Sequence, residues 1–351
     1  MTRSHRRVRR WLVGLVVVAA VGAWLRAVVL PSRPNAAPLP TPRRSPDEDS
    51  CPSPDGAGVH FVVNPASGPA WKVSPTAALR AGLPGADVHE LTPGEELSVA
   101  TDPGAIALGA AGGDGTLSAV ARLAVERDLT FIAVPSGTLN HLARDLGLND
   151  VDDAIAAVRA GTMTAMDLGL AGDRGFVNTL TLGGYAQVVD ARERLERRLG
   201  KWPALLVALV VELRRMEPLH IEVDGQPLRV WLAWIGNCRY EPAGFRPSWR
   251  ERLDDGLLDV RLVVGDRPFS RLRFVVDVMG GRLASCPLYR EWRTDTITVR
   301  SSDGPLRLAA DGETYDGPTA LVVSKRRRAL RVAVPPLDDP STTRSAATPH
   351  V

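Results

Sequence analysis

Gly112-Gly113-Asp114-Gly115-Thr116 follows an apolar run, 105–111, and opens a helix-like segment, 117–124. The order reads as strand, glycine turn, helix. It sets several backbone N–H groups at a helix N-terminus with no side chains in the way, a setting that suits a phosphate. Asp114 cannot itself hold a phosphate. It makes sense either by reaching a Mg²⁺ that the phosphates share or by bonding the backbone N–H groups of its own loop. A lone glycine cluster also makes a ligand-free tight turn, so its weight depends on its company.

Two further loops supply that company. Asn64, Pro65, Ala66, Ser67 and Gly68 follow an apolar strand, 60–63, and offer an amide, a hydroxyl and free N–H groups. Ser136, Gly137, Thr138 and Asn140 follow a second strand, 130–134, with hydroxyls and another amide. Ligands of open α/β sheets bind where the carboxyl ends of strands open. Three polar, glycine-bearing loops at such ends point to one nucleotide site.

Two acidic motifs come later. In Asp254-Asp255-Gly256-Leu257-Leu258-Asp259 a divalent cation could be held by Asp255 and a backbone carbonyl, although Asp-Gly is also ordinary turn chemistry. Ala310-Asp311-Gly312-Glu313 ends a strand and projects Glu313, a candidate general base for a hydroxyl or else a solvated turn residue.

The elements that must position these residues fall into two textures. From 58 to 165, strands at 60–63, 106–108 and 130–134 alternate with helical patterns at 75–81, 117–127 and 152–160, predicting an α/β ATP-binding domain with a mainly parallel sheet. From 166 to 336, short strands at 221–223, 230–235, 258–263, 296–299, 306–309, 319–323 and 330–334 predict a β-rich domain, interrupted by a helical insertion over 190–216. Within that insertion an apolar run, 204–211, is flanked by arginines and reads equally as a lipid-facing or a core-covering helix.

Ahead of these lie a basic segment 1–10, an apolar stretch 11–30 long enough for a transmembrane helix, and a proline-rich linker 31–57; residues 337–351 read as a disordered tail. A single-pass protein of the cell membrane is the expectation. The arginines of 1–10 would place everything downstream outside the cell by the positive-inside rule, whereas an ATP-using domain belongs on the cytoplasmic side. These two expectations conflict.

The net charge of +3 is too small to argue for nucleic acid. Cys51, Cys238 and Cys286 lie far apart with no paired spacing, which argues against a zinc site or disulfide framework and fits a reducing compartment. The basic residues are almost all arginine; the lysines are Lys72, Lys201 and Lys325. The Lys325 to Arg328 run reads as a solvated turn or a weak attraction to anionic membrane.

Taken in order, Asn-Pro-x-Ser-Gly, Gly-Gly-Asp-Gly-Thr, Ser-Gly-Thr-x-Asn, Asp-Asp-Gly-x-Leu-Asp and Asp-Gly-Glu resemble the diacylglycerol kinase-like lipid kinase family, over residues 59–336. That family includes bacterial diacylglycerol kinases and the sphingosine and ceramide kinases. The resemblance implies an α/β N-terminal domain plus a β-sandwich-like C-terminal domain, with ATP and Mg²⁺ as cofactors and a lipid such as diacylglycerol as substrate. It implies that 64–68, 113–116, Thr138 and Thr92 line the ATP site. Asp255, with the Leu257 and Arg252 carbonyls, would hold a structural Mg²⁺, and Glu313 would be the proton acceptor. Two departures are visible: Ser118-Ala119 stand where the family has Asn-Glu, and His141 stands where it has an aspartate. They bear on the nucleotide and Mg²⁺ contacts, Asp114 included.

The implied reaction is in-line phosphoryl transfer from ATP to a lipid hydroxyl. No Gly-x-x-x-x-Gly-Lys-[Ser/Thr] motif and no protein-kinase catalytic loop is present. A soluble small-molecule kinase of the NAD kinase or phosphofructokinase kind, and a non-catalytic lipid-binding protein on the same fold, are the alternatives. A homodimer is left open.

Overall fold

The computed structural model describes residues 53–67, 74–92, 94–97, 104–137, 140–183, 218–244, 247–265 and 286–336. The chain divides into two compact units. Among the described residues, one comprises those from 167 to 328, and the other those from 53 to 166 together with 329–336.

The α/β unit begins with β1 (Val59–Val63), α1 (Thr76–Gly82), β2 (Asp87–Glu90) and β3 (Ala107–Gly112). It continues through α2 (Asp114–Glu126), β4 (Thr130–Pro135), α3 (His141–Asp145) and α4 (Val151–Ala160). β1 pairs in parallel with β2 and β3, and β3 in parallel with β4. Every residue of β1, β3 and β4 is buried, as expected of parallel strands covered on both faces. In β3, Gly109 faces the large Phe61 of the neighbouring strand. A Cβ on Gly109 would fall 2.1 Å from the Phe61 ring, so only glycine lets that ring lie across the sheet. α4 is closed at both ends: Asp150 accepts the Asp153 N–H, and Gly161 turns the chain with φ 63°.

α2 begins three residues earlier than the helical pattern over 117–127 predicts. Gly113 is extended and ends the strand, so Asp114, Gly115 and Thr116 form the first helical turn rather than a loop.

β5 (Met163–Ala171) leads into the β-rich unit, which holds β6 (Arg174–Phe176), β7 (Thr179–Gly183), β8 (Leu219–Val223), β9 (Gln226–Asn237), β10 (Tyr240–Glu241), β11 (Trp249–Arg250) and β12 (Leu258–Val264). β13 (Tyr289–Thr294), β14 (Thr296–Ser301), β15 (Arg307–Ala310), β16 (Glu313–Asp316) and β17 (Ala320–Ala333) complete it. Its pairings are antiparallel: β16 with β15, β15 with β7, β7 with β9, β9 with β8 and β12, β12 with β13, and β14 with β8 and β17. β14 alternates exposed Thr296, Thr298 and Arg300 with buried Ile297 and Val299. The buried face joins Leu180, Leu182, Val230, Ile235, Val260, Leu262, Leu308 and Val323 in one core.

The strands expected at 319–323 and 330–334 are one strand, β17. The charged run between them reads as a turn, yet the Lys325 side chain is buried there against Asp167. Residues 329–336 belong with the α/β unit, where Val332 pairs in parallel with Phe131.

The expectation of a single-pass membrane protein is corrected. No helix among the described residues is long and apolar enough to cross a membrane, and the longest of them, α2, has 13 residues. The segment 11–30 lies outside the described residues, as do 1–10, 31–52, 337–351 and the insertion over 190–216.

Candidate active site

Three loops of the α/β unit meet at the carboxyl ends of β1, β3 and β4. Asn64 donates its amide to the Thr116 hydroxyl (3.1 Å), joining the end of β1 to the first turn of α2. Its Oδ1 accepts the Ala66 N–H (3.0 Å), which shapes the Asn-Pro-Ala-Ser turn. Gly137 packs against the glycine turn so closely that a Cβ there would lie 2.7 Å from Gly113 Cα and 3.0 Å from the Gly112 carbonyl oxygen. Asp114 Oδ1 accepts the Leu142 N–H at 3.5 Å. That aspartate therefore braces the neighbouring loop rather than its own.

The same loops leave an unfilled place. Among the described residues no side-chain cap bond closes the N-terminus of α2, whose N-cap is Gly113. Beside Gly113, among the described residues, the nearest atom to a built Cβ is the Ser67 hydroxyl at 4.0 Å. Ser136 is 7 % exposed, yet its hydroxyl has no hydrogen-bond partner among the described residues. A buried hydroxyl without a partner is costly. Together with an uncapped helix start and an open glycine face, it fits a phosphate-bearing ligand.

Other expected nucleotide contacts are turned inward. Asn140, in the left-handed conformation at φ 50°, accepts the Gly137 N–H (2.8 Å) and donates to the Gly137 carbonyl (3.1 Å). Asn64 and Asn140 thus shape the loops. The exposed Thr92 gives both its N–H and its hydroxyl to Glu95 (2.8 Å each). Those two bonds, with His89 also on Glu95, hold the Glu95 carboxyl below its usual range. Pro65 and Ala66 are exposed turn residues, whereas Gly68 and Thr138 lie outside the described residues, as does Lys72.

In the β-rich unit Asp311 and Gly312 form the hairpin turn between β15 and β16, both at positive φ (50° and 90°). Asp311 is buried, and its carboxylate accepts three backbone N–H groups: Val177 (2.9 Å), Asn178 (2.8 Å) and Thr179 (2.9 Å). Glu313 follows at the start of β16, half exposed, with Oε2 accepting from Arg174 Nη2 at 2.8 Å. The Arg174 guanidinium also lies over the Tyr315 ring, 4.2 Å from its centre. Asp311 thus ties down the segment following β6, and Arg174 on β6 holds Glu313.

The Asp-Asp-Gly turn, residues 254–256, is bonded from within. Asp255 accepts the Arg239 N–H on one oxygen (2.8 Å) and the Leu257 N–H on the other (2.9 Å). The Leu257 carbonyl accepts the Cys238 N–H (3.0 Å). Asp167, wholly buried, accepts the Gly256 N–H (2.7 Å) and the Arg328 N–H (2.7 Å), and Lys325 Nζ lies 3.3 Å away. Acidic oxygens of Asp167 and Asp255 and the Cys238 sulfur lie within 4.8 Å of one another. Burial pushes the Cys238 thiol up to about 12, so it stays a neutral thiol, a poor partner for Mg²⁺. Each side-chain and carbonyl oxygen expected from Asp255 and Leu257 already serves a backbone N–H, and an ammonium stands in the same cluster. Asp167, Asp255 and Cys238, with the Lys325 ammonium among them, do not fit a resident divalent ion.

Asp167 and Arg174 are absent from the motif reading, which takes Asp311 only as turn chemistry and Lys325 as part of a solvated run. A single aspartate in the apolar strand 163–171 and a rare lysine in an arginine-rich chain were the available signals.

Residues 58–171 match the family described as "Diacylglycerol kinase catalytic domain", and 179–334 match "YegS C-terminal NAD kinase beta sandwich-like domain". The chain belongs to the diacylglycerol kinase-like lipid kinase family, and it is a lipid kinase. A protein named "Diacylglycerol kinase" from Mycobacterium tuberculosis is 28% identical over 300 residues, covering 79% of this chain and 95% of that protein. A "Probable lipid kinase YegS-like" from Pseudomonas aeruginosa is 33% identical over 233 residues, covering 64% of this chain and 76% of its own. The crystal structure of a diacylglycerol kinase from Bacillus anthracis shares the fold with a TM-score of 0.55 at 18% identity, across 81% of this chain and 97% of that one.

Proposed function

We propose that this lipid kinase transfers the γ-phosphate of ATP directly to the hydroxyl of diacylglycerol or a closely related lipid. The observation that carries the nucleotide half of this reading is the unpartnered, buried Ser136 hydroxyl beside the open Gly113 face and the uncapped start of α2. In this reading the N–H groups of the first turn of α2 and the hydroxyls of Ser67 and Ser136 bind phosphate oxygens. Asn64, Asp114 and Asn140 keep the three loops in register. Mg²⁺ arriving with the nucleotide neutralises phosphate charge.

Glu313 accepts the proton of the attacking hydroxyl, because an alcohol is a weak nucleophile until that proton has somewhere to go. Arg174 restrains the carboxylate in one orientation. The names of the M. tuberculosis and P. aeruginosa relatives support a lipid as acceptor.

The test is incubation of the full chain with Mg²⁺ and γ-labelled ATP, offering diacylglycerol, ceramide, sphingosine, a polyprenol and NAD together. The expected result is label in a chloroform-soluble product whose mass is diacylglycerol plus one phosphoryl group. Label in NAD with none in lipid would overturn the reading. Label in a different lipid would overturn the diacylglycerol assignment alone.

A further inference from the structure

The Asp-Asp-Gly turn is surrounded by cations that the chain itself provides. Beneath it, the Lys325 side chain is 1% exposed. Its ammonium lies 3.3 Å from Asp167 Oδ2, 2.5 Å from Asn237 Oδ1 and 3.1 Å from Cys238 Sγ. A lysine so deep persists as a charge only when paired and hydrogen-bonded, and here it is both. Asp167 passes that anchorage to the turn: its carboxylate accepts the Gly256 N–H, and its own N–H donates to the Leu253 carbonyl (2.7 Å).

On the flanks, the Arg252 guanidinium donates twice to Asp254 Oδ1 (3.1 Å each). The Arg327 guanidinium lies flat against the turn, its central carbon only 2.8 Å from where a Cβ on Gly256 would be. Asp167 is therefore paired with Lys325 and Asp254 with Arg252, while Asp255 is held by the Arg239 and Leu257 N–H groups and Arg327 lies against Gly256.

We infer that the Lys325 ammonium, with Arg252 and Arg327 on the flanks, takes the place of a structural divalent ion at this turn. A divalent cation entering here would find Asp167 and Asp254 already paired and would sit close to a buried positive charge it cannot displace. The turn keeps its shape through groups that fold with the chain. The inference is separate from any Mg²⁺ that travels with a nucleotide and from the choice of lipid acceptor.

Thermal unfolding of the full chain, stripped with EDTA and free of nucleotide, tests it. Midpoints are compared with and without 10 mM MgCl₂ or CaCl₂, as an order-of-magnitude excess, at matched ionic strength. A site filled at about a hundred times its dissociation constant would raise the midpoint by about 5 °C or more. We expect the wild type to move by less than about 2 °C. Lys325→Met should unfold several degrees lower in EDTA and regain part of the loss with a divalent ion, because Asp167 and Asp255 are then left without the ammonium. A larger wild-type shift, or calorimetric one-site binding of Mg²⁺ to nucleotide-free wild type, overturns the inference even if Lys325→Met does not fold. A folded Lys325→Met that ignores divalent ions overturns it too.

Discussion

Glu313→Gln is expected to lower kcat for lipid phosphorylation by about 10²–10⁴-fold, the usual loss when a positioned general base is removed. The substitution keeps size and shape and removes only the carboxylate's capacity to take a proton. Its structural consequence is small. The pair with Arg174 is solvent-facing, with 34% and 45% of the side chains exposed, and such pairs contribute about 0–1 kcal/mol. The apparent KM for ATP should change little, since Glu313 is not among the phosphate-binding groups. Steady-state kinetics with a folding control by circular dichroism decides the matter. A variant that turns over as fast as wild type would remove Glu313 from the chemistry, and a variant that fails to fold would make it a structural residue.

Asp311→Ala carries the largest expected effect on stability. Three backbone N–H groups, of Val177, Asn178 and Thr179, lose their acceptor at once. An orphaned buried donor costs about 1–3 kcal/mol. The sum is about 3–6 kcal/mol, allowing for partial relaxation, against a total stability of about 5–15 kcal/mol for a typical domain. Asp311 is also held at φ 50°, a conformation that aspartate and asparagine tolerate better than alanine. Asp311→Asn keeps one acceptor oxygen and should fall between wild type and Asp311→Ala. Equilibrium urea unfolding measures the difference. A loss under about 1 kcal/mol for Asp311→Ala would mean that the segment after β6 is held by other groups.

The two substitutions divide the Asp-Gly-Glu motif into two tasks, structural at Asp311 and chemical at Glu313. The motif's place in the sequence shows the turn, because Asp-Gly at positive φ is local chemistry. It does not show what Asp311 holds, since the partner N–H groups lie more than 130 residues away along the chain. The same distinction runs through the molecule. The parallel α/β layering was legible in the alternation of 60–63, 106–108 and 130–134 with amphipathic segments. So were the loops at the strand ends, where glycine, asparagine and serine punctuate apolar runs.

The start of α2 was misplaced because Gly113, which commonly extends a loop, here ends the strand and lets Asp114 begin the helix. The middle of β17 was read as a turn because four cationic residues in a row look solvated. Lys325 is instead drawn inward by Asp167, 158 residues earlier in the chain. Side-chain direction was the other blind spot. Asn64 and Asn140 read as amides facing a ligand, yet Asn64 bonds Thr116 and its own turn and Asn140 bonds Gly137, whereas the hydroxyl of Ser136, without a partner among the described residues, could be found only from its burial.

Hydrogen exchange of the backbone amides, followed with and without a non-hydrolysable ATP analogue and Mg²⁺, tests the phosphate cradle most directly. The account predicts added protection in 64–67, 113–117 and 136–142 together, at one common midpoint of analogue concentration. Protection confined to a single loop, or appearing elsewhere while these three exchange unchanged, would contradict it.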